Sequence, residues 1–274
     1  MNNKFSFKNL INGLCLGASN IIPGVSGGTV AVILGIYEKL LESIGGLRKD
    51  FKSNFGFLAQ IGIGAIVGIV AFSGVISFLL EKYTLGINYL FIGFVLGGVG
   101  MIIDKIEKKK MSLSKVIGFI IGVFMVLGIS LIGSSIQEKT VVIDAANQGV
   151  SYLSLMFAGF MTAFTMILPG ISGSLTLVML GLYDDFVTAI ATFNIPYLMA
   201  GAIGGIIGLF VTVKLISYLL KHYNDITYSA ILGLVIGSSG VIAITNPIGS
   251  SWLVALAGVF TGALLTITIS KMSS

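Results

Sequence analysis

Apolar runs along this chain follow a plan that is used twice. Residues 9–22 read as an apolar helix, then a Pro-Gly-x-Ser-Gly break at 23–27, then a second helix from Gly28 to about Ile44. Three longer runs follow at about 57–80, 87–103 and 115–133, and a polar linker at 136–150. The same order then returns as a helix over 152–168, a break at 169–173, a helix over 174–190, and runs at about 195–219, 228–244 and 252–270. The first helix, about 20 Å long at 1.5 Å per residue, is too short for a hydrocarbon core of about 30 Å. Proline and glycine at that point must break the helix.

The two copies are related residue by residue. At an offset of 146, Pro23/Pro169, Gly24/Gly170, Ser26/Ser172, Gly27/Gly173, Val32/Val178, Leu34/Leu180, Gly35/Gly181 and Tyr37/Tyr183 are identical. Further along the offset settles at 140, where Gly64/Gly204, Gly68/Gly208, Gly93/Gly233, Gly97/Gly237, Tyr83/Tyr223 and Gly122/Gly262 coincide. Residues 1–135 and 151–274 are therefore two repeats, joined by the 136–150 linker.

Composition makes this a polytopic membrane protein. The 274 residues are 55% hydrophobic and 10% charged, with a mean hydropathy of +1.04, whereas soluble domains carry about 25% charge. The net charge of +5 sits in loops between apolar runs, so it reports orientation and not nucleic-acid binding. If each broken pair is a re-entrant hairpin (9–44 and 152–190), each half has three full spans and the second half is inverted. With the N-terminus inside, all the Lys and Arg residues except Lys82 and Lys139 then face the cytoplasm. If each pair crosses the membrane instead, Lys4, Lys8, Lys214, Lys221 and Lys271 are exposed outside. The expected fold is thus all-α, with two inverted-topology repeats, each a re-entrant helical hairpin plus three transmembrane helices. The N-terminal run also resembles a signal peptide, but its copy in mid-chain argues that it is retained. Cys15, alone in the chain, reads as a small apolar filler.

Irregular backbone at membrane depth is tolerated where it is buried in protein or lines a cavity, so the two breaks should meet near the midplane. Broken helices at matching places in inverted repeats point to a transporter binding site. Ser26, Gly27, Gly28 and Thr29 after Pro23-Gly24, and Ser172, Gly173 and Ser174 after Pro169-Gly170, would present hydroxyls and open N–H groups to an anion. Ser19, Asn20 and Thr165 add polar groups just before each break. An isolated break of this kind can be a packing kink, and the serines and threonines can instead bond their own helix carbonyls. Glu38 and Asp184, beside Tyr37 and Tyr183, read either as interfacial residues at helix ends or as gating or proton-carrying carboxylates. No cofactor or metal site is expected.

The run Gly17-Ala18-Ser19-Asn20-Ile21-Ile22-Pro23-Gly24-Val25-Ser26-Gly27-Gly28-Thr29, with Leu34-Gly35-Ile36-Tyr37-Glu38 after it, resembles the PopT-type polyprenyl-phosphate translocases of bacteria. The likeness covers essentially the full chain and includes the Pro169-Gly170-Ile171-Ser172-Gly173-Ser174 copy. It implies a multi-pass protein of the bacterial plasma membrane with cytoplasmic termini. Its activity would be to return undecaprenyl phosphate from the outer to the inner leaflet, recycling the lipid carrier for cell-envelope synthesis. The expected partners are that lipid and the bilayer, with a coupling ion (proton or sodium) and the oligomeric state left open. Access would switch by rocking of the halves. A small-anion or ion secondary transporter is the alternative. Undecaprenyl-pyrophosphate phosphatases also carry inverted repeats and a Pro-Gly-x-Ser-Arg-Ser run, but their arginine position is Gly27 and Gly173 here. A transporter, not an enzyme, is therefore expected.

Overall fold

The computed structural model describes residues 6–21, 26–106, 112–138 and 151–273. Among these every regular element is a helix: α1 (Phe7–Asn20), α2 (Gly27–Ile33), α3 (Tyr37–Gly45), α4 (Phe51–Lys82), α5 (Thr84–Ile103), α6 (Leu113–Glu138), α7 (Tyr152–Ile167), α8 (Gly173–Met179), α9 (Tyr183–Ala191), α10 (Ile195–His222), α11 (Asn224–Thr245) and α12 (Trp252–Ser273). Six of them, α4, α5, α6, α10, α11 and α12, are long and apolar enough to cross a membrane. The chain is a multi-pass membrane protein. The outer faces of α4 and α12 carry exposed Ile66, Val70, Phe78, Leu256 and Phe260, which suits contact with lipid.

One expectation is corrected. The second helix of each hairpin is not continuous over 28–44 or 174–190; it ends after two turns and restarts. Gly35 and Gly181 both take φ +68°, a left-handed conformation that glycine adopts without a steric penalty. The Gly35 N–H then reaches the Val32 carbonyl (3.0 Å) and Ile36 the Ala31 carbonyl (3.0 Å), a pattern that closes a helix C-terminus. Gly181 to Val178 (2.9 Å) and Leu182 to Leu177 (3.0 Å) reproduce it. The chain bends by 110° between α8 and α9.

Close helix pairs are built on small residues, as expected where lipid supplies no hydrophobic drive for packing. A Cβ at Gly64 would fall 2.3 Å from the Leu10 carbonyl oxygen, and one at Gly204 1.8 Å from that of Met156. The α1–α4 and α7–α10 contacts are therefore alike. Successive contacts advance in step on both helices: Gly13 lies on Ile61, Gly17 on Ala65. The paired helices run in the same direction.

The other two close pairs exchange partners. A Cβ at Gly93 in α5 would lie 2.0 Å from the Val259 oxygen in α12, and one at Gly233 in α11 2.1 Å from the Phe119 oxygen in α6. Positions 93 and 233, and 119 and 259, are each 140 apart, so α5 pairs with α12 as α11 pairs with α6. These pairs are parallel too, since Gly118 lies on Ile226 and Gly122 on Ala230. α11 is the most enclosed span, with 61% of its apolar window buried, against 11% for α4.

The six-residue difference between the two offsets is also located. The α3–α4 linker is two residues longer than the α9–α10 linker, and α4 has 32 residues against 28 for α10. The longer stretch holds Arg48, Lys49 and Lys52.

Candidate functional site: a polar cavity at the second break

The two breaks touch. α7 stops at Ile167, and Leu168 is extended (φ −67°, ψ 124°), because the Pro169 ring disfavours helical geometry in the residue before it. Gly170 follows at φ +86°, with its α-carbon so close to the Leu234 carbonyl that a Cβ would stand 2.5 Å from it. The backbone groups freed here are taken up by the first copy. Thr29 Oγ1 accepts from the Gly170 N–H at 2.7 Å, Ser26 Oγ donates to the Leu168 carbonyl at 3.3 Å, and the Tyr37 hydroxyl donates to the Ile167 carbonyl at 3.1 Å. Ser26 also accepts from Gly28 N–H at 3.2 Å, capping α2. Ser26, Thr29 and Pro169 are buried.

The sides of this junction are unequal. Thr29 is matched by Leu175 and Gly28 by Ser174 in the second copy, so the Thr29 hydroxyl has no counterpart there. Ser172 makes no cap and shares a 2.8 Å hydrogen bond with Ser174. Beside them a cavity of about 720 Å³ opens. Its polar lining includes Ser172, Ser174, Asn88, Ser238, Thr245 and Asn246, and Leu80, Val126, Ile129 and Leu175 are on its apolar wall. Among the described residues no charged side chain lines it. Asn88 Nδ2 donates to Asn246 Oδ1 at 2.7 Å, tying α5 to the end of α11.

The sequence-predicted residues fall into three groups. Gly170, Ser172, Ser174 and Tyr183 line the cavity. Ser26, Gly28 and Thr29 are packed against residues 167–170 and do not line the cavity. Ser19, Asn20 and Thr165 bond carbonyls of their own helices: Ser19 Oγ and Asn20 Nδ2 to Leu16 (2.8 and 2.9 Å), and Thr165 Oγ1 to Met161 (3.0 Å). Gly27 lies against the Asn20 amide, and Gly173 against Thr162. Pro23 and Gly24 lie outside the described residues, as do residues 139–150 of the linker. Asn88, Ser238 and Asn246 were not singled out from the sequence. For Asn88 and Ser238 the signal was an amide or hydroxyl inside an apolar run, which marks function in a membrane span; Asn246 lies just past the end of one.

The carboxylates are also unequal. Glu38 is paired with Lys105 at 3.0 Å and accepts a hydrogen bond from the Tyr228 hydroxyl. Its counterpart Asp184 is exposed. At the 140 offset Lys105 corresponds to Thr245 and Tyr228 to Asn88, and these two line the cavity beside Tyr183. One end of the molecule is thus drawn together at the positions where the other stands open.

A model of an undecaprenyl phosphate translocase-like family matches residues 16–255. The chain belongs to that family. It is 34% identical to a polyprenyl-phosphate transporter of Vibrio cholerae over 83% of this chain and 74% of the relative. It is 28% identical to a polyprenyl-phosphate transporter of Staphylococcus aureus over 99% of this chain and 98% of that relative. No solved structure matches the chain significantly. The family is the one that the motif pair pointed to, and both relatives are named as transporters.

Proposed function

We propose that this protein carries undecaprenyl phosphate from the outer to the inner leaflet of the bacterial plasma membrane, with its headgroup held in the cavity at the second break. The observation that carries this reading is a cavity with a hydroxyl- and amide-lined face beside an apolar wall, in a chain of this family. Headgroup oxygens would accept from Ser172, Ser174 and Asn88, while the first isoprene units lie along Leu80, Val126 and Ile129. The donors would be local N–H and hydroxyl groups more than whole-helix dipoles, because α2 and α8 have seven residues each. Leaving the tail in lipid avoids exposing it to water at about 0.8 kcal/mol per methylene.

Helix direction supports inverted halves. Consecutive spans joined by single-residue turns at Tyr83 and Tyr223 run oppositely, and each close pair is parallel. α4, α6 and α11 then run one way, and α5, α10 and α12 the other, so the first span of each half points oppositely. α1 and α7 enter from opposite faces, as re-entrant segments would. Lys8, Lys39, Arg48, Lys105 and Lys115 gather at one face, which the positive-inside rule assigns to the cytoplasm. The cavity faces outward, and the Glu38–Lys105–Tyr228 cluster closes the inner side as a gate. Tyr37 and Tyr183, Glu38 and Asp184 are the paired gating positions. Because α5/α12 and α11/α6 interlock the halves, the moving parts would be the hairpins with α4 and α10.

The test is leaflet-specific accessibility of undecaprenyl phosphate in proteoliposomes, with phosphate release measured in parallel. Ser172→Ala/Ser174→Ala should slow transport at least about ten-fold, since a hydrogen bond to a charged group contributes about 1.5–3 kcal/mol. Unchanged transport in that variant would remove the second break from the site. Indifference to the prenyl tail would indicate a small-anion carrier, and released phosphate a phosphatase.

A further inference from the structure

A second cavity, of about 450 Å³, lies under the α2–α3 turn at the end where the basic residues gather. It is lined by Lys8, Asn9 and Asn12 of α1, by Leu34–Ile36 of the turn, and by Lys39, Phe57 and Met101. We propose that this pocket is a second phosphate-binding site, which receives a phosphate group at the cytoplasmic face. The inference rests on the transport reading above for its membrane side, but its chemistry is independent of that reading.

Four observations agree on an anion. The Lys39 ammonium is held at the pocket wall, 4.3 Å above the Phe57 ring, and Lys8 adds a second positive charge. The 14-residue helix α1 starts here with no acidic residue in its first turn and no side-chain cap, so its N-terminal end favours negative charge. Asn9 is oriented by Gln60, whose Oε1 accepts from Asn9 Nδ2 at 3.1 Å and from Ser6 N–H at 2.8 Å. Asn12 carries the most weight. It is 4% exposed, and its amide has no hydrogen-bond partner among the described residues, yet it lines the cavity. That amide therefore faces the cavity with its hydrogen-bonding capacity available to a ligand there.

Packing alone does not ask for these residues. At the 146 offset Lys8, Asn9, Asn12 and Lys39 correspond to Ser154, Leu155, Ala158 and Asp185. Leu155 and Ala158 are fully buried in the repeat, so apolar side chains fill the equivalent helix positions without difficulty. The polar set belongs to the cytoplasmic end alone. A phosphate monoester of charge about −1 to −2 matches two ammonium groups and an amide donor. It could be the headgroup of the carried lipid after crossing, or free phosphate.

The two sources are separated by titrating inorganic phosphate, geranyl phosphate and geraniol into the full-length protein in detergent, followed by calorimetry. Asn12→Ala reproduces the residue that packs in the repeat and should fold normally; Lys39→Gln removes one charge, and Lys39→Arg keeps it. Phosphate-bearing probes should bind wild type and Lys39→Arg, and bind at least about ten-fold more weakly to Asn12→Ala and Lys39→Gln, with geraniol silent. A preference for geranyl phosphate assigns the pocket to the lipid headgroup, and equal binding assigns it to the free anion; either supports a phosphate site. No phosphate binding by wild type, or unchanged affinity in both Asn12→Ala and Lys39→Gln, overturns it. If Ser172→Ala/Ser174→Ala transports normally while the pocket variants lose phosphate, the transport-site reading fails and the pocket stands.

Discussion

A single hydroxyl, that of Thr29, accepts the backbone N–H that the Pro169 break sets free at Gly170. Thr29→Val keeps the shape and removes the acceptor, leaving a buried donor unpaired at a cost of about 1–3 kcal/mol. Thermal unfolding in detergent should show that loss, and Thr29→Ser should largely restore stability. Glu38 sets a different dependence. Partial burial by itself raises its carboxyl, but the Tyr228 hydroxyl and the Lys105 ammonium outweigh this and hold it below the ordinary carboxylate value. A depressed carboxylate adds stability that is present above its ordinary value and lost as pH falls through the lowered one. The wild-type melting temperature should therefore carry an acid-side decline that Glu38→Gln lacks, and both should be flat between about pH 6 and 8. Equal acid profiles would remove Glu38 from the closure. The serines at the breaks were legible because they repeat, but the Thr29–Gly170 bond joins residues 141 apart in sequence. Nothing local in the chain encodes that meeting.

At the scale of elements, the long spans were readable because a run of about twenty apolar residues has few alternatives in a bilayer. Each predicted span lies within an observed helix, and the edges moved by a few residues, as where α4 starts at Phe51 behind its Asp50 cap and α10 runs on to His222. The short helices were harder. Leu34-Gly35 and Leu180-Gly181 sit inside apolar sequence, and periodicity does not distinguish an interior glycine from one that ends a helix. The matched glycine followed by an apolar residue was the available signal. Gly35→Ala should destabilise by about 1–2 kcal/mol, the cost of a left-handed L-residue, although a Cβ there meets nothing within 4 Å. A melting temperature equal to that of wild type would show that the turn relaxes at no cost.

At the scale of the molecule, the internal repeat was legible as glycines and tyrosines held in register, while the exchange of partners between halves was not. Sequence equivalence says that α5 resembles α11; it does not say which helix packs on which. Orientation can be measured in a Cys15→Ala background. Arg48→Cys should react with an impermeant thiol reagent from the cytoplasmic face, and Ser250→Cys, in the α11–α12 turn, from outside. Reaction of both from one face would remove the inverted arrangement. The swapped pairs also bear on how the protein is made. The Gly93 face of α5 remains without its mate until α12, which follows all the other described helices in the chain, has been inserted. This pairing thus acts as a clasp: a ribosome that stops before Trp252 leaves an early helix waiting, and the first half cannot mature ahead of the second.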